Sequence, residues 1–119
     1  MSADAVLTLL LEDEPLIAMD IELMLRGAGF DVKTVMSCEE ATAWLDGRIP
    51  DIVILDIELR DGPCHKVAEY LTEEKIPFIV HSGDHPSMHV GTPLAHGRWI
   101  SKPAAADDLI GAARELLAS

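Results

Sequence analysis

Two short apolar runs in this chain each stop abruptly on acid. Val6 to Leu11 ends at Glu12-Asp13-Glu14, and Ile52-Val53-Ile54-Leu55 ends at Asp56. An aliphatic run of this length without polar alternation reads as a strand buried on both faces, the condition of a parallel sheet covered by helices. Helical patterns fill the intervals. Pro15 suits a helix first turn, Ile17, Ile21, Met24 and Leu25 follow one helical face, and Gly27 and Gly29 end it. Phe30 to Val35 reads as a second strand. Ser37 and Glu40 have capping-box spacing ahead of a helix through Ala41, Trp44 and Leu45, closed by Asp46-Gly47. Asp61-Gly62-Pro63 is a turn, and Val67, Ala68 and Leu71 mark a third helix. Residues 76–80 and 99–101 read as the fourth and fifth strands. Asp107 and Asp108 open a last helix, with Leu109, Ile110, Ala113, Leu116 and Leu117 as its buried face.

Strands alternating with helices predict an α/β fold, a flavodoxin-like doubly wound parallel sheet of five strands in the order 2-1-3-4-5. One stretch resists the pattern. Pro86, Gly91, Pro93 and Gly97 occupy the place of the helix between the fourth and fifth strands. Each is a poor helix-interior residue, so that helix is expected to be short, irregular or mobile.

The 119 residues suit one domain, spanning 1–119, and 49% hydrophobic content is enough for a core. With aromatics at 4%, that core must be aliphatic. A net charge of −12 argues against direct contact with nucleic acid and suits a basic partner or a metal ion. The first residues carry no basic segment, and the apolar run after them is too short for a signal peptide or a membrane span. Cys38 and Cys64 lack the CxxC spacing and are expected to be free thiols in a reducing cytosol.

In the 2-1-3-4-5 order, strands one and three meet at the topological switch point, where ligands bind beyond the carboxyl ends of the strands. Glu12, Asp13 and Asp56 would converge there. Two unit charges about 4 Å apart cost roughly 4 kcal/mol at an effective dielectric near 20, so such a cluster calls for a cation. An all-oxygen donor set favours Mg²⁺ over Zn²⁺. Ser82 and Lys102, at the ends of strands four and five, point to the same edge. A carboxylate nucleophile attacking a phosphoryl group needs positive charge and in-line placement rather than a general base. His81, His85 and His89 are spaced by four, but Gly83 and Pro86 break the register, so they read as loop histidines rather than a zinc site.

Leu11-Glu12-Asp13-Glu14-Pro15, Ile54-Leu55-Asp56, Ser82-Gly83 and Lys102-Pro103, in this order at strand ends, resemble a two-component response-regulator receiver domain over essentially the whole chain. The resemblance implies a stand-alone, chemotaxis-type receiver, or a piece of a longer regulator. Asp56 would be the phosphoacceptor, and Glu12, Asp13, Asp56 and the backbone carbonyl of Glu58 would hold Mg²⁺. Ser82 and Lys102 would contact the phosphoryl group, and Ser82 with Trp99 would form the switch that senses it. It also implies a histidine kinase or histidine phosphotransferase as donor, an unidentified output protein, and a cytoplasmic monomer or weak dimer. The domain would catalyse only its own phosphorylation and dephosphorylation.

Several residues depart from the family pattern. Arg60 stands where a proline usually follows strand three, and the loop from Asp56 to Gly62 is about two residues shorter than usual. Ala104 stands where a phenylalanine often follows Lys-Pro. Pro77-Phe78-Ile79-Val80-His81-Ser82-Gly83 is similar to a subgroup with a Pro-Phe-x-x-x-Thr-Gly-Tyr stretch, with Asp84 in place of the tyrosine. Two other readings compete. A pseudo-receiver would dock without phosphorylation. An aspartate-nucleophile phosphatase of the haloacid-dehalogenase type would use Asp56-Ile57-Glu58, though such chains place that motif on their first strand.

Overall fold

The computed structural model describes residues 5–119. Five parallel strands, β1 (Val6–Leu11), β2 (Phe30–Val35), β3 (Ile52–Leu55), β4 (Phe78–Ser82) and β5 (Arg98–Ser101), form one sheet in the order β2-β1-β3-β4-β5. The expected topology is therefore present. The fourth strand lies two residues later than the apolar pattern suggests, because it pairs Val53 with Phe78 and Leu55 with Val80. Helices α1 (Pro15–Gly27), α2 (Cys38–Leu45), α3 (His65–Glu73) and α4 (Ala106–Ala118) cover both faces.

The pleat divides the core in two. Leu9, Leu11, Val53, Leu55 and Val80 pack under α2 and α3, against Ala41, Leu45, Val67, Ala68 and Leu71. Leu10, Ile52, Ile54 and Ile79 face α1 and α4, against Ala18, Ile21, Leu25, Leu109, Ala112 and Ala113. The α1 face is rotated from the expected one. Ala18, Ile21 and Leu25 are buried, whereas Ile17 and Met24 are 40% and 43% exposed. The small Ala18 allows close approach to the sheet, and the larger residues flank the contact.

The segment between β4 and β5 is two short 3₁₀ turns, Pro86–His89 and Pro93–His96, in place of a helix. Gly91 adopts a positive φ of 84° between them, a conformation available to glycine without strain. The fully buried Leu94 anchors the second turn in the core beneath α3. The remaining helix ends follow the sequence signals, with one variation. Ser37 Oγ accepts a hydrogen bond from the Glu40 amide at 3.0 Å, but the Glu40 carboxylate accepts from the Met36 amide at 2.6 Å and not from Ser37.

The cysteines differ from expectation. Cys38 at the start of α2 and Cys64 at the start of α3 form a disulfide, with their Cα atoms 5.3 Å apart. Spacing along the chain gave no sign of this pair, because their 26-residue separation is bridged only when α2 and α3 lie side by side on one face of the sheet.

Gly97 lies where the chain enters β5 and leaves no room for a side chain. A Cβ there would sit 2.5 Å from Phe78 Cε2 and 2.9 Å from Val80 Cγ2. Gly97→Ala should therefore destabilise the domain by about 1–3 kcal/mol through forced displacement of core side chains. Urea unfolding checks this, and an unchanged midpoint would show that β4 yields at no cost.

Candidate functional site

Strand register builds the site. Leu11 pairs with Leu55 across β1 and β3, and the Asp56 amide donates to the Leu11 carbonyl at 3.1 Å. The residues that follow each strand, Glu12 and Asp56, therefore emerge side by side. Ser82 pairs with Ser101 across β4 and β5, and the Lys102 amide donates to the Ser82 carbonyl at 2.9 Å. That brings Lys102 to the same edge, on the far side of Asp56 from Glu12.

Lys102 Nζ lies 2.9 Å from Asp56 Oδ2, 3.7 Å from Glu58 Oε1 and 4.0 Å from Glu12 Oε1. The other Asp56 oxygen, Oδ1, accepts from the Glu58 amide at 2.9 Å. Asp56 and Glu12 are almost wholly buried, at 3% and 2% exposure. One ammonium thus faces three carboxylates. Burial works against the Lys102 charge, but the hydrogen bond to Asp56 and the surrounding carboxylates outweigh it and raise the lysine above its ordinary value.

Carboxylate oxygens of Glu12, Asp13 and Asp56 lie within 4.8 Å of one another. Among the described residues these acids are the one group suited to a metal ion. Glu12 Oε2 accepts from the Glu14 amide at 3.1 Å, whereas Glu12 Oε1 is buried without a hydrogen-bond partner. A buried carboxylate oxygen left unpaired is costly, and a cation held between Glu12, Asp13 and Asp56 would satisfy it. The residues present therefore fit a hard, oxygen-liganded divalent ion. Burial pushes the Glu12 carboxyl up to about 7; the Asp56 charge adds to this, and the Glu14 amide and Lys102 pull it back.

Ser82 is fully buried at the end of β4, and its Oγ accepts from the Asp84 amide at 2.9 Å. Trp99 is partly buried, and its indole N–H donates to the Leu94 carbonyl at 3.1 Å while the ring lies 5.3 Å from that of His89. The 3₁₀ segment therefore holds the indole from two sides. Glu58 is exposed, with its carboxylate near Lys102. The histidines do not gather. His81 is buried, and burial together with the nearby Lys102 charge lowers its pKa, against an opposing pull from Asp56. His85 pairs with Ser87, and His89 with Asp84 at 2.9 Å.

Sequence reasoning missed Asp61. Its carboxylate accepts from the Cys38 and Glu39 amides at 2.9 and 3.1 Å, tying the loop after β3 to the start of α2. These amides, the Cys38 amide first, lower its pKa. The first two amides of α2, which the Ser37 cap leaves free, and an acid in a neighbouring turn were the only signals, and a contact 23 residues apart cannot be read from either.

In the metal-free protein, Glu12 links stability to pH. Its carboxyl ionises near 4.5 when unfolded and near 7 when folded. Between these values the unfolded state binds fewer protons, so stability falls as pH rises and the contribution is lost through pH 7. The loss should be about 3 kcal/mol, and Glu12→Gln should flatten it. Chelator-treated protein melted at stepped pH provides the measurement; an equal slope in the variant would exclude Glu12 as its source.

Comparison with known proteins agrees with this geometry. The family model described as Response regulator receiver domain matches residues 8–114. The transcriptional regulatory protein TrcR of Mycobacterium tuberculosis is 28% identical over 113 residues, which cover 92% of this chain and 44% of that protein. The phyllosphere-induced regulator PhyR of Methylorubrum extorquens is 37% identical over 75 residues, 60% of this chain and 28% of that protein. The chain thus spans less than half the length of these relatives. A response regulator receiver protein from Sinorhizobium medicae has the same fold, with a TM-score of 0.89, 30% identity, and 99% of this chain and 98% of that one covered. With a matching model over most of its length and a site of acids and lysine at the expected strand ends, this chain belongs to the response regulator receiver domain family.

Proposed function

We propose that this chain is a phosphoacceptor switch that receives a phosphoryl group on Asp56 from a phosphohistidine of a histidine kinase or histidine phosphotransferase. The observation that carries the reading is the Asp56 carboxylate, buried at the switch point between Lys102 and the acids Glu12 and Asp13. Glu12, Asp13, Asp56 and the backbone carbonyl of Glu58 would hold Mg²⁺, which when bound would supply positive charge against the incoming phosphoryl oxygens. The Glu58 amide fixes Asp56 Oδ1 and so sets the direction of the carboxylate. Lys102 gives up its contact with Oδ2 and follows charge to a phosphoryl oxygen. An Asp56 oxygen then bonds to phosphorus as the donor's P–N bond breaks, and the leaving imidazole keeps the bond electrons and takes up a proton.

Signalling on this reading proceeds by altered protein–protein binding. The Ser82 hydroxyl can donate to a phosphoryl oxygen while still accepting from the Asp84 amide. Asp84 pairs with His89, and His89 lies against Trp99, so a shift at Ser82 reaches the indole through this chain of contacts. Phosphate biases that equilibrium only by its differential contacts. Among the described residues no helix is long and apolar enough to cross a membrane. A cytoplasmic, monomeric or weakly dimeric protein without nucleic-acid contact fits the charge and the donor.

The donor's docking face is proposed on α1. Leu16, Met19 and Leu23 are 75%, 57% and 66% exposed along it, directly after Glu12-Asp13-Glu14. Three outward aliphatic side chains at helical spacing beside the acid cleft suit a partner's apolar helix face.

Acetyl phosphate with Mg²⁺ should add one phosphoryl group to the wild type and none to Asp56→Ala, read by intact mass. Labelling of Asp56→Ala to the wild-type extent would place the acceptor elsewhere. No labelling of the wild type by any donor would favour a docking module. Leu16→Asp should slow transfer from a protein phosphohistidine donor by about tenfold or more while leaving acetyl phosphate labelling unchanged, since one buried apolar anchor is worth about 1.5–3 kcal/mol. Equal slowing with both donors would mean that the change had damaged the site itself.

A further inference from the structure

We infer that Cys38 and Cys64 form a reversible redox latch on the loop after β3 that carries Asp56 and Glu58, closed by thiol–disulfide exchange with a low-molecular-weight disulfide such as oxidised glutathione. The inference rests on the proposed phosphoacceptor reading for its consequence, but not for its chemistry. The Cα separation of 5.3 Å is within the range a disulfide spans without backbone movement. In a cytoplasmic protein a disulfide is characteristically transient and redox-sensing rather than structural. The pair is asymmetric in the way such a device requires. Cys38 is partly buried and Cys64 is 6% exposed. Both border an open surface groove of about 390 Å³ that also includes Asp61, His65 and Lys66. An attacking sulfur therefore reaches Cys38 first, and Cys64 is placed to resolve the intermediate.

Closure proceeds in two exchanges. The Cys38 thiolate attacks one sulfur of the small disulfide, breaking its S–S bond and releasing one small thiol. The Cys64 thiolate then attacks the Cys38 sulfur of the mixed disulfide and releases the second. The protein pair loses two electrons, the small disulfide gains them, and the two protons from the cysteines end on the two released thiols. The reverse exchange, with the same small thiol, opens the latch. The reduced state is also accommodated, because the Gly62 carbonyl lies 3.4 Å from Cys38 Sγ and can accept from its thiol.

The link to the site is the chain between Asp56 and Cys64. Glu58 donates to Asp56 at one end of it, and Leu59 and Gly62 close a narrow turn in the middle. At its far end Cys64 has φ 59°, a left-handed conformation that a non-glycine residue resists. The cross-link to α2 holds Cys64 there and, through it, the backbone that presents Glu58 to the metal. After reduction the loop is tied to α2 by hydrogen bonds alone, those of the exposed Asp61 and the one the Cys38 thiol can donate to the Gly62 carbonyl. The oxidised chain is thus the pre-organised form, and the reduced chain binds a metal ion with an ordering cost.

The full chain is equilibrated in glutathione buffers of stepped ratio and quenched with iodoacetamide. Mass spectrometry should show two alkyl groups giving way to none in a single two-electron transition. Amide exchange at residues 58–64 should be about tenfold faster in the reduced protein and in Cys38→Ser than in the oxidised protein. Mg²⁺ should bind the reduced and Cys38→Ser forms about three- to tenfold more weakly. Serine keeps a donor to the Gly62 carbonyl, so a loss of folding is not the expected cause, and the far-ultraviolet circular dichroism of Cys38→Ser should match the wild type. Two alkyl groups at every poise would overturn the latch, as would equal exchange and equal Mg²⁺ affinity in both redox states. If neither state binds Mg²⁺ or takes up phosphoryl, the phosphoacceptor reading fails while the alkylation transition and the exchange contrast decide the latch on their own.

Discussion

The Lys102 ammonium against the Asp56 carboxylate is the contact on which the site depends. Three acids converge where β1 and β3 end, and two of them are buried. Buried like charges at this distance would separate or protonate without a counter-charge. Lys102 supplies one positive charge, 2.9 Å from Asp56 and 4.0 Å from Glu12, which is not enough for the whole group. Burial above all pushes the Glu12 carboxyl up to about 7, the Asp56 charge adds to this, and Glu12 Oε1 has no partner. A divalent cation bound between these acids would offset that charge.

The site is held by a rigid frame on one side and by loops on the other. Glu12 and Asp56 follow strands whose Leu11 and Leu55 are fully buried and in register, so their positions are fixed by the core. Glu58 and Ser82 lead from the site into the turn after β3 and the 3₁₀ segment after β4. The first is tied to α2 by Asp61 and the disulfide; the second is anchored by Leu94 and stacks His89 on Trp99. On the proposed phosphoacceptor reading a change in charge at Asp56 would be transmitted by the loops rather than by the sheet, because packed strands do not deform continuously while loop contacts can exchange.

Departures from the family pattern, Ala104 after β5 apart, fall on these same loops. The short turn after β3 and Arg60 lie where Asp61 reaches across to α2. Asp84 supplies the partner of His89. The missing helix places Leu94 under α3 and its carbonyl against the indole. Each difference alters how the loops are tied together and leaves Glu12, Asp13, Asp56 and Lys102 in place.

By itself the sequence determined the strand and helix order and the acids at the strand ends. Both follow from local facts: aliphatic runs cannot face water, and a charge that follows such a run must lie at its exit. It also marked the failed helix, since Pro86, Gly91 and Pro93 act on their own backbone. It could not fix which side of α1 packs, because Ala18 is chosen over Ile17 and Met24 by the closeness of the sheet rather than by hydrophobicity. Nor could it show that Asp61 caps α2, that Trp99 is held by Leu94 and His89, or that Cys38 meets Cys64. The Asp61 and Cys64 contacts reach Cys38 from 23 and 26 residues away, and the Trp99 contacts depend on how the 3₁₀ turns fold back, so only the packing of α2, α3 and those turns over one face of the sheet brings these groups within reach.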